Sequence, residues 1–214
     1  VAANQVHLVR HGEVFNPERV LYGRLPEFRL SDLGVQMAEA AAADLVQRAR
    51  PVIRVISSPL QRARESAAPI AAAFGLPIDI DDRIIEPANV FEGKRMRGAD
   101  GALRDPRNWP ALANPLRPSW GEPFESIAQR MLAAIEDARR SVDGGDVVLV
   151  SHQLPIWMVH RALAGQRLAH DPRKRRCDLS SITTISFPSD RPAESGYTNP
   201  ALVLQAGATD VGAV

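Results

Sequence analysis

Cysteine is nearly absent: Cys177 stands alone, which excludes an internal disulfide and a cysteine-based zinc site. Such low usage fits a reducing compartment. There is no surplus of charge either. The 26 Lys and Arg against 25 Asp and Glu leave a formal net charge of +1, so neither nucleic acid nor an anionic membrane is expected as the main partner. No apolar run approaches the length of a bilayer span. The opening residues Val1-Ala2-Ala3-Asn4-Gln5 have no basic n-region and no long apolar h-region, so no signal peptide is read there. A soluble, cytoplasmic protein is expected.

What is present is ordinary for a globular chain. Its 214 residues, 45% hydrophobic and 24% charged, suffice for one domain with a sizeable core. Short apolar or β-branched runs at 6–9, 52–56, 78–80, 147–150 and 182–187 read as strands. Helical spacing lies between most of them, from about Ser31, from Leu60 to Phe74, from Phe124 to Val142 and from Ile156 to Leu163. This alternation predicts an α/β fold, a three-layer sandwich with a mostly parallel central sheet flanked by helices. Residues 201–205 read as an edge strand, followed by a flexible tail from about 206. Residues 93–123, rich in Pro, Gly and Arg and carrying Trp109 and Trp120, are too long for an ordinary connection and read either as a lid insertion or as a poorly ordered excursion.

Three charged motifs follow strand-like runs. Arg10-His11-Gly12-Glu13 follows 6–9, Ser57-Ser58-Pro59-Leu60-Gln61-Arg62-Ala63-Arg64 follows 52–56, and Ser151-His152-Gln153 follows 147–150. In open α/β sheets, ligands bind beyond the carboxyl ends of the strands. Ser58 reads as a helix N-cap with Pro59 at the first helical position, which puts Arg62 in the first turn beside free N–H groups that favour an anion. Two histidines and two arginines at three strand ends suit a phosphoryl group. Arg10 and Arg62 neutralise its oxygens, His11 attacks phosphorus, and His152 stabilises equatorial charge. No metal is needed, and the flanking arginines disfavour a two-histidine metal site. A leaving alkoxide needs a proton. Glu86, after the 78–80 strand, is the first candidate donor, Glu92 the stronger rival and Glu13 the weaker. Arg95, Arg97, Arg104 and Arg107 read equally as solvated charges or as an anion-reading set. Arg173-Lys174-Arg175-Arg176 reads as an exposed loop.

Taken together, these motifs resemble the histidine phosphatase superfamily, in its phosphoglycerate mutase-like branch. Leu8-Val9-Arg10-His11-Gly12-Glu13 is similar to the family's RHG signature. Leu30-Ser31-Asp32-Leu33-Gly34 is similar to its helix start, Ser57 to Ala63 to its second-arginine motif and Val150-Ser151-His152 to its second-histidine motif. The resemblance implies a phosphohistidine on His11 that water then hydrolyses, with Arg10, Arg62 and His152 as the phosphate pocket. It also implies Glu86 as the proton donor, with Phe91-Glu92-Gly93 similar to the tripeptide that often follows. Asn16 resembles a phosphate-binding Asn, one residue closer to the signature than is usual. Gln153 and Pro87 depart from the pattern.

The reaction expected is phosphomonoester hydrolysis without cofactor or metal, on a small-molecule substrate. A phosphoglycerate mutase and a non-catalytic phospholigand-binding module are the alternatives; Ile85-Glu86-Pro87-Ala88-Asn89 departs from the mutase pattern. Oligomeric state is open, with a homodimer as the candidate assembly.

Overall fold

The computed structural model describes residues 2–96, 101–112 and 121–210. Among them, six strands form one sheet in the order β3-β2-β4-β1-β5-β6. These are β1 (Gln5–Arg10), β2 (Val52–Ser57), β3 (Ile78–Ile80), β4 (Asp146–Ser151), β5 (Ile182–Ser186) and β6 (Ala193–Thr198). The first four are parallel, whereas β5 runs antiparallel to β1 and β6 antiparallel to β5. The helices are α1 (Asp32–Gln47), α2 (Gln61–Phe74), the single turn α3 (Trp109–Leu112), α4 (Phe124–Arg140) and α5 (Gln153–Leu163).

Side chains alternate across a strand, so β1 and β4 each feed two cores. On one face Val6, Leu8, Val147 and Leu149 pack with Ile127, Met131 and Ile135 of α4 and with Trp157 and Met158 of α5. On the other, Val9, Val148 and Val150 meet Ala41 and Leu45 of α1 and Ala63, Ala67 and Ile70 of α2. Both faces are covered, which explains why the central strands are continuously apolar. His7 of β1 and Asp146 of β4 are buried polar exceptions that meet each other. The His7 ring lies 3.0 Å from Thr184 Oγ1 and 3.3 Å from Asp146 Oδ2, among neighbouring strands.

Two element readings need correction. Residues 201–205 do not form a strand: the chain turns there in a 3₁₀ segment, Leu202–Gly207, with Ala201 buried and Leu204 packed near Met37 and Leu179. The edge strand is instead Ala193–Thr198. Its sequence Ala-Glu-Ser-Gly-Tyr-Thr carries no apolar run because a half-exposed edge buries little, and its register against β5 shifts at Thr184/Ile185. Helix α5 begins at Gln153 rather than Ile156, with Pro155 in its first turn, where the missing N–H costs nothing.

Four parallel strands end at one rim of the sheet, at Arg10, Ser57, Ile80 and Ser151. The antiparallel β5 starts at that rim, so the loop before it, from Cys177 to Ser181, also faces the strand ends.

Candidate active site

Arg10, the last residue of β1, and His11 after it are fully buried, as are Arg62, Glu86 and His152. The backbone that presents His11 is fixed by a side-chain-free joint. A Cβ on Gly12 would lie 2.3 Å from Gly34 O, and one on Gly34 would lie 2.0 Å from Glu13 O, so the signature loop and the start of α1 touch through backbone alone. Ser31 caps α1 by accepting from Gly34 N at 2.9 Å and itself donates to Glu13. Ser66 Oγ accepts from Gly12 N at 3.1 Å, tying the same loop to α2.

His11 Nδ1 lies 2.8 Å from the Gly12 carbonyl, which only accepts, so Nδ1 carries the proton and Nε2 keeps its lone pair. Burial, then Arg62 and Arg10, hold its pKa well below the ordinary histidine range. The ring is neutral at physiological pH. His152 stands beside it, with ring centroids 5.2 Å apart, and burial foremost also keeps it neutral.

Glu86 reaches this group from the loop after the 3₁₀ turn Asp82–Ile84. Ser151 Oγ donates to Ile84 O at 2.7 Å and anchors that loop to the end of β4. Burial lifts the Glu86 carboxyl to about 7, against the opposing pull of Arg62, Arg175, Arg10 and Arg130. An isolated charge in such a place is costly, so the proton stays on until the pH reaches about 7.

Several buried polar atoms here have no hydrogen-bond partner among the described residues: Arg10 Nε, Arg62 Nε, His11 Nε2, His152 Nδ1 and both Glu86 oxygens. Each such atom costs about 1–3 kcal/mol when buried alone. Donors, a lone pair and a protonated acid gathered in one place match a tetrahedral oxyanion. Among the described residues, His11, Glu86 and His152 also form one cluster with the reach to ligate a cation, their ligand atoms within 4.8 Å of one another. Two buried guanidinium groups beside them favour an anion instead.

The rivals for the acid are held elsewhere. Glu92 accepts from Arg24 N and Asn89 N, at 2.9 and 3.2 Å. Glu13 accepts from Ser31 Oγ and Thr209 N. Asn16 bonds both backbone groups of Val20 and lines a cleft of about 270 Å³ with Glu13, Phe15 and Ser31. Gln153 Oε1 accepts from Arg175 at 3.3 Å.

Arg64 is exposed, as are Arg104 and Arg107, the last paired with Asp105. Arg95 donates to Glu18 O, and Arg97 and Trp120 lie outside the described residues. Trp109 is 59% exposed. Within the basic loop, Arg173 pairs with Asp171 and Arg176 with Glu194, whereas Arg175 turns inward to His170 and Gln153.

Sequence reading missed three neighbours. Ser58 is not the helix cap: α2 starts at Gln61 after Leu60, and Ser58 Oγ lies 2.8 Å from His152 Nε2. Its place beside the second-arginine motif was the available signal. Tyr22 is buried edge-on to His11, with Arg62 stacked 4.6 Å over its ring. Asp210 reaches Arg10 from the far end of the chain. Nothing local marks the last two.

The family model of the histidine phosphatase superfamily (branch 1) matches residues 6–200, and the chain belongs to that superfamily. It is 52% identical to the uncharacterized protein Rv0525 of Mycobacterium tuberculosis (strain ATCC 25618 / H37Rv) over 197 residues, 92% of this chain and 96% of that one. It is 32% identical to the probable phosphoglycerate mutase GpmB of Escherichia coli O1:K1 / APEC over 199 residues, 90% of this chain and 89% of that one. Among solved structures, the mycobacterial glucosyl-3-phosphoglycerate phosphatase Rv2419c with VO3 superposes with a TM-score of 0.71 at 26% identity, covering 90% of this chain and 98% of that one. Relatives thus include phosphatases and mutases, and among the described residues no helix is long and apolar enough to cross a membrane.

Proposed function

We propose that the chain hydrolyses a small-molecule phosphomonoester through a phosphohistidine on His11, without a metal. The observation that carries this reading is the tautomer of His11: a buried neutral ring whose Nδ1–H is engaged by Gly12 O while Nε2 has no partner among the described residues.

Arg10 and Arg62 hold the phosphoryl oxygens. The Nε2 lone pair of His11 attacks phosphorus, the ester P–O bond breaks, and its electron pair leaves on the ester oxygen. Glu86 gives its proton to that oxygen. Ser58 Oγ lies 2.8 Å from His152 Nε2; in the tautomer in which Ser58 donates there, His152 Nδ1 carries a proton toward equatorial charge. In the second half, Glu86 takes a proton from water, the hydroxide attacks phosphorus, and the N–P bond breaks to restore His11.

The test is phosphate release from a panel of phosphoesters with EDTA present, beside His11→Ala. Release that survives EDTA and disappears in the variant, with an acid-labile phosphoprotein trapped during turnover, supports the reading. Absence of release, with activity appearing on adding 2,3-bisphosphoglycerate, would make it a mutase. Tight phosphoester binding with neither activity would make it a binding module.

A further inference from the structure

Asp210 lies 200 positions from Arg10 in sequence, yet its carboxylate grips that guanidinium through two parallel bonds, Nη1 to Oδ2 at 2.8 Å and Nη2 to Oδ1 at 2.6 Å. Such a fork matches a carboxylate and a phosphate equally well. The contact is seated. Leu204 and Ala208 pack beside Leu33, Met37 and Leu179, Gln205 Nε2 donates to Leu179 O at 2.8 Å, and Thr209 N donates to Glu13 Oε1 at 2.5 Å. The segment thus spans from α1 to the signature loop and delivers one negative charge to the pocket.

Resting on the phosphatase reading above, we propose that residues 202–210 compete with substrate inside the molecule, Asp210 taking on Arg10 the place of two phosphoryl oxygens. The contact is built to be released. Asp210 makes no hydrogen bond to Arg62, His11 or His152, and its side chain is 40% exposed, so solvent has access to it. A phosphate dianion brings more charge and more acceptors and engages all four groups. Arg10 would then keep its bond to the Cys177 carbonyl, 2.7 Å away, and exchange only the carboxylate. Apparent affinity for any phosphoryl ligand falls by the fraction of molecules in which the pocket is clear of the tail.

The experiment is calorimetric titration of the full chain with inorganic phosphate, for wild type, Asp210→Asn and a chain ending after Ala208. Both variants are expected to bind phosphate about tenfold more tightly, with KM for nitrophenyl phosphate falling in step and kcat not reduced. Amide exchange at Thr209 in the wild type should quicken when phosphate saturates the protein. Equal affinity in all three proteins would overturn the competition while leaving the phosphate pocket intact. Weaker binding in the variants would overturn it too, showing a tail that clasps the ligand. Failure of every protein to bind phosphate or vanadate would remove the pocket reading and the competition with it.

Discussion

Glu86 Oε2 lies 3.6 Å from His152 Nδ1, with both side chains wholly buried. That is too long for a hydrogen bond, and burial opposes charge on either partner. A protonated carboxyl beside a neutral imidazole lets one group donate to a leaving oxygen while the other steadies the phosphoryl group.

Glu86→Gln is expected to slow alkyl phosphate hydrolysis by about 10²–10⁴-fold and nitrophenyl phosphate far less, since nitrophenolate scarcely needs a proton. In the wild type, kcat/KM on alkyl esters should fall as pH rises through about 7, where Glu86 of the free protein ionises. The acid limb should lie well below pH 6.5, because His11 protonates only there. Rate profiles on the two substrates check this. Matching losses on both would move the acid elsewhere.

Stability carries the same signature. The folded Glu86 carboxyl is raised from 4.5 to about 7, so between those values the folded chain binds the extra proton and the unfolded chain does not. Its contribution is fully present below pH 4.5 and is lost as pH rises through about 7. Glu86→Gln should therefore flatten that decline and, at pH 8, be more stable than wild type by on the order of 1 to 3 kcal/mol. Urea melts at pH 5 and pH 8 measure it; parallel curves for the two proteins would contradict it.

Ser58→Ala removes the hydroxyl on His152 Nε2, worth roughly 1–2 kcal/mol, so kcat should drop about 5- to 30-fold. KM should change less, because Arg10 and Arg62 are untouched. Ser58→Thr, which keeps the hydroxyl, should recover most of the rate. An unchanged kcat in Ser58→Ala would show that His152 needs no support from that side.

Gly34→Ala forces a methyl against Glu13 O across the backbone joint. Overpacking of this kind costs about 1–3 kcal/mol. Thermal melts should show that loss, and His11 should lose activity beyond what stability explains, since its loop must shift. Full activity in a merely less stable protein would place the strain in α1 alone.

What the sequence disclosed follows from range. Arg10-His11 and Ser151-His152 were legible because each sits at the end of an apolar strand, and Arg62 because it opens the helix that follows one, local signals that also mark the sheet rim. Glu86 was legible by position, while its raised pKa comes from burial, which no window of residues reveals. Tyr22 and Asp210 enter the site by long-range packing and leave no local trace. Ser58 was visible but assigned to the wrong partner, because a serine before proline fits a cap as readily as a histidine clamp. The β6 strand escaped because a polar edge has no periodic face to show.

The bond from Ser151 to Ile84 has a mechanical meaning. The strand that ends just before His152 also moors the loop carrying Glu86, so the proposed proton donor and the second histidine ring share one reference point inside the sheet. A change that breaks this single bond would therefore disturb donor and ring together rather than one at a time.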